Sequence, residues 1–182
     1  MKSKSRIKFW QLPLKFSLLG LLSSCSCANS TVPLHPTFQA ERYLGRWYEI
    51  ARLPHRFEEG LSNITAEYTA KGQGLKVVNR GYDEQRHEWR SITGSAYFTQ
   101  APNIPELRVT FFRPFYGCYR VIALDEQNYE YALVSGKDYS YLWLLARAPS
   151  LPAKIQESLV QRAKEMGFDT ERLIYVKHDL NQ

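Results

Sequence analysis

The sequence predicts an all-β chain closed off by one helix near its end. Two observations carry this. From Gly45 onward, short segments rich in Val, Ile, Thr and aromatic residues recur at roughly 8–12-residue spacing between turn residues, the pattern of an antiparallel barrel or sandwich. Further on, Leu151, Ile155, Leu159, Ala163 and Met166 recur at three- and four-residue steps, which makes one apolar helical stripe.

The strand-like segments are residues 46–53, 63–70, 75–82, 88–98, 106–112, 118–124, 129–135 and 141–147. Several alternate. Ile64, Ala66 and Tyr68 oppose Thr65 and Glu67; Leu107, Val109 and Phe111 oppose Arg108 and Thr110; Tyr119, Val121 and Ala123 oppose Cys118 and Arg120. Such alternation sets an apolar interior against a wet exterior. In a closed ring, eight strands leave room for a packed core or for one small ligand, and closure removes exposed sheet edges. Ser150 can cap the helix, Pro152 suits its first turn and Gly167 can stop it. Residues 173–176 read as a short extra strand.

The N-terminal segment is not part of this pattern. Lys2, Lys4, Arg6, Lys8 and Lys15 form a basic region, followed by a short apolar run from Phe16 to Leu22. That run is too short for a bilayer, which needs about 20 apolar residues, and its flanks are those of a signal peptide. It ends in Leu22-Ser23-Ser24-Cys25, which resembles the bacterial lipobox. The resemblance implies cleavage after residue 24, lipidation at Cys25 and, with Ser26 as the next residue, sorting to the outer membrane. More than one acyl chain is needed for stable anchoring, and the triacyl group would supply it. Residues 1–24 then form the signal peptide, 25–36 a small, polar tether, and 37–182 the folded domain.

Removing the leader changes the charge argument. The chain has 24 Lys and Arg against 18 Asp and Glu, but without residues 1–24 the balance is 19 against 18. The basic character therefore belongs to the leader and gives no reason to expect nucleic acid as a partner. The remaining 158 residues suit one domain. Cys27 and Cys118 are left after Cys25; they could pair in an oxidising compartment, but the preferred reading of Cys118 is a buried or half-buried strand thiol. His35, His55, His87 and His178 are scattered without metal-ligand spacing, and neither a phosphate-binding glycine loop nor a nucleophile elbow occurs, so no metal and no cofactor is expected.

Five blocks, in order, resemble the lipocalin family, in particular its bacterial and apolipoprotein D branch. They are Gly45-Arg46-Trp47 with its continuation to Glu58, Asn63 to Tyr68, Arg113 to Gly117, Tyr119 to Asp125, and Tyr141 to Arg147. The resemblance implies an eight-stranded antiparallel up-and-down β-barrel with one C-terminal α-helix packed outside. In that topology the start of the first strand and the end of the eighth meet at one barrel end. Trp47 and Arg147 should then form a structural plug, a guanidinium stacked on indole worth about 0.5–2 kcal/mol.

Inward parity proposes a ligand cavity walled by Ala66, Tyr68, Ile92, Ala96, Phe98 and Val109. Phe111, Tyr119, Val121, Tyr141 and Trp143 complete it. Parity also turns Glu49 inward beside Trp47 and Ala51, with no evident partner. Chain direction places the loops after strands one, three, five and seven at the mouth, where Arg52 and Arg113 are the favoured contacts for an anionic head group. The resemblance implies a fatty acid or lysophospholipid as the ligand; the membrane is the expected partner through the N-terminal lipid. The resemblance leaves room for a homodimer, to which no pattern here points. Two other readings stand beside it: a structural envelope lipoprotein with a filled barrel, and an enzyme acting on a lipophilic substrate, for which only Glu49 and Cys118 offer chemistry. No catalytic residue is assigned.

Overall fold

A computed structural model describes Cys27 and residues 30–180 of the chain; the expected leader and Cys25 lie outside them. Eight antiparallel strands close into a barrel: β1 (Gly45–Arg52), β2 (Leu61–Lys71), β3 (Gly74–Asp83), β4 (Glu88–Phe98), β5 (Glu106–Thr110), β6 (Gly117–Leu124), β7 (Tyr131–Ser135) and β8 (Leu142–Ala146). Each pairs with the next, and β1 closes the ring by pairing with both β8 and β2. A one-turn helix α1 (Ala40–Tyr43) precedes β1, and helix α2 (Ala153–Glu165) comes after β8. The short β9 (Ile174–Tyr175) pairs with the last residues of β1, on the edge β2 has left.

Two apolar clusters divide the molecule. One fills the barrel from its closed end and includes Trp47, Tyr68, Val77, Ala96, Val121 and Leu145. The other lies outside, where Leu159 and Ala163 of α2 meet Ile50, Ile122, Leu133 and Leu144. The apolar stripe of α2 is buried there as its periodicity requires. Ser150 does not cap this helix: Pro152 occupies the N-cap position, with no side-chain cap.

The closed end is built around Arg147. Its guanidinium lies 4.0 Å over the Trp47 ring and donates to the carbonyls of Arg42 (2.8 Å), Arg46 (2.8 Å) and Tyr129 (3.2 Å). Trp47, fully buried, donates from Nε1 to the Tyr43 carbonyl at 2.8 Å. Gly45 has a φ of +92°, and a Cβ there would sit 3.4 Å from the Arg147 guanidinium. Glycine is needed for that backbone conformation, while the guanidinium sits at ordinary contact distance from where a Cβ would be.

Strict alternation fails in three places. The register of β2 slips between Ser62 and Thr65, and those of β1 and β6 each slip by one residue, between Glu49 and Ala51 and between Val121 and Ala123. The bulges in β1 and β6 turn two consecutive residues each, Ile50–Ala51 and Ile122–Ala123, to the outer cluster. Ala51 and Ala123 therefore leave the interior that parity gave them.

Cys118 is not a free thiol. It is bonded to Cys27 across the outer face of β6, with Cα atoms 5.7 Å apart. Residues 30–36 are accordingly no loose tether. Val32 is buried at 1% exposure, and the His35 amide donates to the Val121 carbonyl (3.0 Å). Beneath this segment Arg120 pairs with Glu106 and donates to the carbonyls of Val32 (2.8 Å) and Cys27 (3.5 Å). The buried ion pair needs those carbonyls, and the segment needs the pair; neither was visible in a pattern of isolated strands.

Trp47→Ala should lower unfolding stability by about 3–5 kcal/mol, the cost of emptying a large core site, read by denaturant titration. Cys118→Ser should cost about 2–4 kcal/mol, because the bond closes a loop of sequence separation 91. Melting unchanged by reductant would show that this link contributes nothing.

Candidate functional site

The upper half of the barrel interior holds a polar cluster. The β1 bulge re-phases the strand so that Glu49 and Arg52, three residues apart, both point inside. Arg52 Nη1 donates to Glu49 Oε1 (2.9 Å) and Nη2 to the Glu58 carbonyl (2.7 Å). The Glu58 carboxylate lies 2.9 Å from the His55 imidazole and accepts from Trp143 Nε1 at 3.1 Å. Glu49 and Arg52 are each 3% exposed. Glu49 thus has its partner, and Arg52 is not a free cation at the mouth but a neutralised one below it.

Two carboxyl groups share this one guanidinium, and their protons separate accordingly. Burial, then the charge of Glu58, holds Glu49 well above the usual carboxylate range, against the pull of Arg52. Burial also pushes Glu58 upward, but the His55 imidazole, the Trp143 N–H and Arg52 outweigh it and hold that carboxyl below its ordinary value. Glu49 keeps the proton and Glu58 carries the charge, so the cluster adds little net charge to the interior.

Deeper down, three phenols meet. Tyr68 donates to the Tyr119 hydroxyl (2.9 Å), and the Tyr43 and Tyr119 hydroxyls are 2.7 Å apart. Burial pushes all three phenols up, so they stay neutral donors and acceptors. Tyr43 was not among the expected wall residues. It lies on α1, outside the strand alternation, and only its place four residues before Trp47 marks it.

Of the expected wall, Tyr68, Ala96 and Val121 are fully buried in the inner cluster, while Ala66, Phe98, Val109, Phe111, Tyr119 and Trp143 pack against it and stay partly exposed. Ile92 shares the inward register of Gly94 and Ala96. Phe111 reaches over Gly94, where a Cβ would come within 2.7 Å of its ring; only glycine leaves that space. Tyr141 stands at the rim, its ring 5.8 Å from and nearly parallel to that of Trp143, with His55 5.7 Å away. A mouth cavity of about 350 Å³ is lined by Pro54, His55, Arg56, Phe57, Ser140 and Tyr141. Arg113 does not line it. Its side chain turns to the outer wall and donates to the Tyr97 hydroxyl at 3.0 Å.

Glu49→Gln keeps the neutral form already favoured, and should leave stability near neutral pH within about 1 kcal/mol. Arg52→Ala strands a buried carboxylate and should cost about 3–5 kcal/mol. Glu49 binds its proton more tightly folded than unfolded; its contribution is full below the ordinary carboxylate range and drains away as pH rises through the raised value. Glu58 acts oppositely, contributing above that range and losing its effect as pH falls through its lowered value. Melting over a pH series should therefore show a flatter alkaline limb for Glu49→Gln. A loss as large as that of Arg52→Ala would show Glu49 to be charged.

The lipocalin-like domain family matches residues 38–178. The chain is 48% identical over 158 residues to outer membrane lipoprotein Blc of Vibrio cholerae, covering 86% of this chain and 92% of that one. It is 44% identical over 171 residues to the protein of the same name in Escherichia coli K12, covering 91% and 96%. Apolipoprotein D of Mus musculus is 28% identical over 86% of this chain and 89% of its own. Among solved structures, insecticyanin from Manduca sexta superposes with a TM-score of 0.66 at 20% identity, over 81% of this chain and 85% of that one. With strand order, closed-end plug and sequence blocks in agreement, this chain belongs to the lipocalin family.

Proposed function

We propose that the protein is a non-catalytic carrier anchored to the outer membrane through a lipid on Cys25, facing the periplasm, and that it holds the acyl chain of a fatty acid or lysophospholipid inside its barrel. One observation carries the binding reading. Ala66, Val109, Tyr119 and Trp143 point into a closed barrel and yet remain partly exposed. Tyr119 combines that exposure with a phenol strongly shifted by burial. A side chain that is both deep and accessible borders open space. Apolar walls around such space favour an acyl chain, each methylene contributing about 0.8 kcal/mol on leaving water.

The head group has a place at the rim. The mouth cavity offers Arg56, the His55 imidazole and the Ser140 hydroxyl beside Tyr141. The anchor reading rests on the lipobox-like Leu22-Ser23-Ser24-Cys25 and on the names of the Vibrio and Escherichia relatives. The non-catalytic reading draws support from the two groups that offered chemistry. Cys118 is bonded to Cys27 and Glu49 is paired with Arg52.

Titrating the purified protein with a fatty acid and with a lysophospholipid should quench Trp143 fluorescence saturably, and Trp143→Phe should abolish that signal. Ala66→Phe, which fills the lumen from the wall, should weaken binding by about tenfold or more while melting stays near that of the parent. Binding that ignores Ala66→Phe would place the ligand outside the barrel.

A further inference from the structure

A second recess lies over β3, β4 and β5. It is about 190 Å³ in volume, and Lys71, Lys76 and Arg113 surround it with the hydroxyl residues Thr93, Ser95 and Thr110, while Gly94 and Phe111 complete the lining. Outward register brings the central members together, since Lys76 pairs with Ser95 and Ser95 with Thr110 across β3, β4 and β5. Among the described residues, no carboxylate lines the recess. Three cations therefore face one small volume whose lining holds no neutralising group.

Two further observations point to an anionic ligand. Thr110 is 6% exposed, and its Oγ1 is buried with no hydrogen-bond partner among the described residues. A buried hydroxyl without a partner is costly unless something comes to meet it. The adjacent Tyr97 phenol also reports the local field. The Ser95 hydrogen bond, then the hydrogen bond and charge of Arg113, hold it below its ordinary value, with Lys71 adding to the effect.

We infer that this recess binds a phosphate group, with Lys71, Lys76 and Arg113 as its charged donors and the Ser95 and Thr110 hydroxyls as its neutral ones. Phosphate chemistry fits because a compact, multiply charged anion uses several cations and hydroxyl donors at once. The same group is carried by free phosphate and by the head groups of a phospholipid surface. The recess shares no lining residue with the mouth cavity, and the proposal does not depend on what the barrel carries.

The test uses the full chain with Tyr ring carbons labelled. Inorganic phosphate, added against sodium chloride at matched ionic strength, should shift the Tyr97 ring signal saturably and raise the pH at which that phenol ionises. Lys71→Gln with Lys76→Gln should weaken this by about tenfold or more, the loss expected from removing charged donors. Acyl-chain quenching of Trp143 should be unchanged in that variant. Thr110→Val should also weaken phosphate binding and should not lower the melting temperature. Vesicles of phosphatidylglycerol, compared with phosphatidylcholine, form the second arm. A response to vesicles but not to free phosphate, lost in the lysine variant, assigns the site to a lipid surface. A response to free phosphate alone assigns it to a soluble phosphate. No saturable response in either arm, a response equalled by chloride, or one indifferent to both sets of substitutions overturns the site.

Discussion

Strand β1 is hydrogen-bonded along both edges: to β8 on one, and on the other to β2 over its first half and β9 over its end. The rest of the molecule depends on that double pairing. Eight strands joined end to end have a bore set by geometry, just wide enough for side chains or one small ligand. Because side chains alternate, a one-residue slip of β1 would turn Trp47 into water and remove the floor of the barrel. Arg147 guards against that slip. Its guanidinium reaches carbonyls on α1, on β1 and on Tyr129 just ahead of β7, so the closed end is held by groups from three parts of the chain.

The bulges in β1 and β6 link the outside of the barrel to its chemistry. Under α2 the wall must present a broad apolar face, and the extra residues Ile50 and Ile122 broaden it. Each inserted residue also flips the phase of the strand beyond it. In β1 this brings Arg52 inside, three residues from Glu49, where it meets Glu58 and Trp143. The helix-facing surface and the buried polar cluster are therefore two consequences of one local irregularity. The cluster is tolerable because its opposite charges meet, even though Arg52 Nε and His55 Nδ1 have no hydrogen-bond partner among the described residues. A neutral Glu49, a charged Glu58 and Arg52 leave little net charge for the low-dielectric interior to bear.

The sequence conveyed what depends on local pattern. Strand positions come from β-branched and aromatic alternation, the helix from its stripe, and the closed end from Gly45-Arg46-Trp47 and Arg147. What it hid depends on phase or on distant pairing. Parity extrapolated past Ile50 misplaced Ala51 and left Glu49 unpartnered, because a bulge has no compositional mark here. Cys27 read as part of a loose polar linker, because the buried Arg120–Glu106 pair that seats its backbone is an ordinary Arg and Glu on alternating strands. Arg113 read as a mouth cation from its place at a strand end, yet a loop side chain is free to turn, and the Tyr97 hydroxyl on the outer wall captures it.

These relocated cations change how recognition should be divided on the carrier reading. An unpaired arginine inside the barrel would have made the head group the main determinant of affinity, since a charge-assisted contact in a dry site is strong. With Arg52 neutralised and Arg113 outside, the lumen offers apolar walls and three neutral phenols. Affinity must then come chiefly from apolar burial, which is indifferent to head-group chemistry and sensitive to chain length. Discrimination between head groups falls to the solvent-facing rim around Arg56 and Ser140, where screening by water and salt weakens each charge. A barrel arranged this way selects the tail first and the head second.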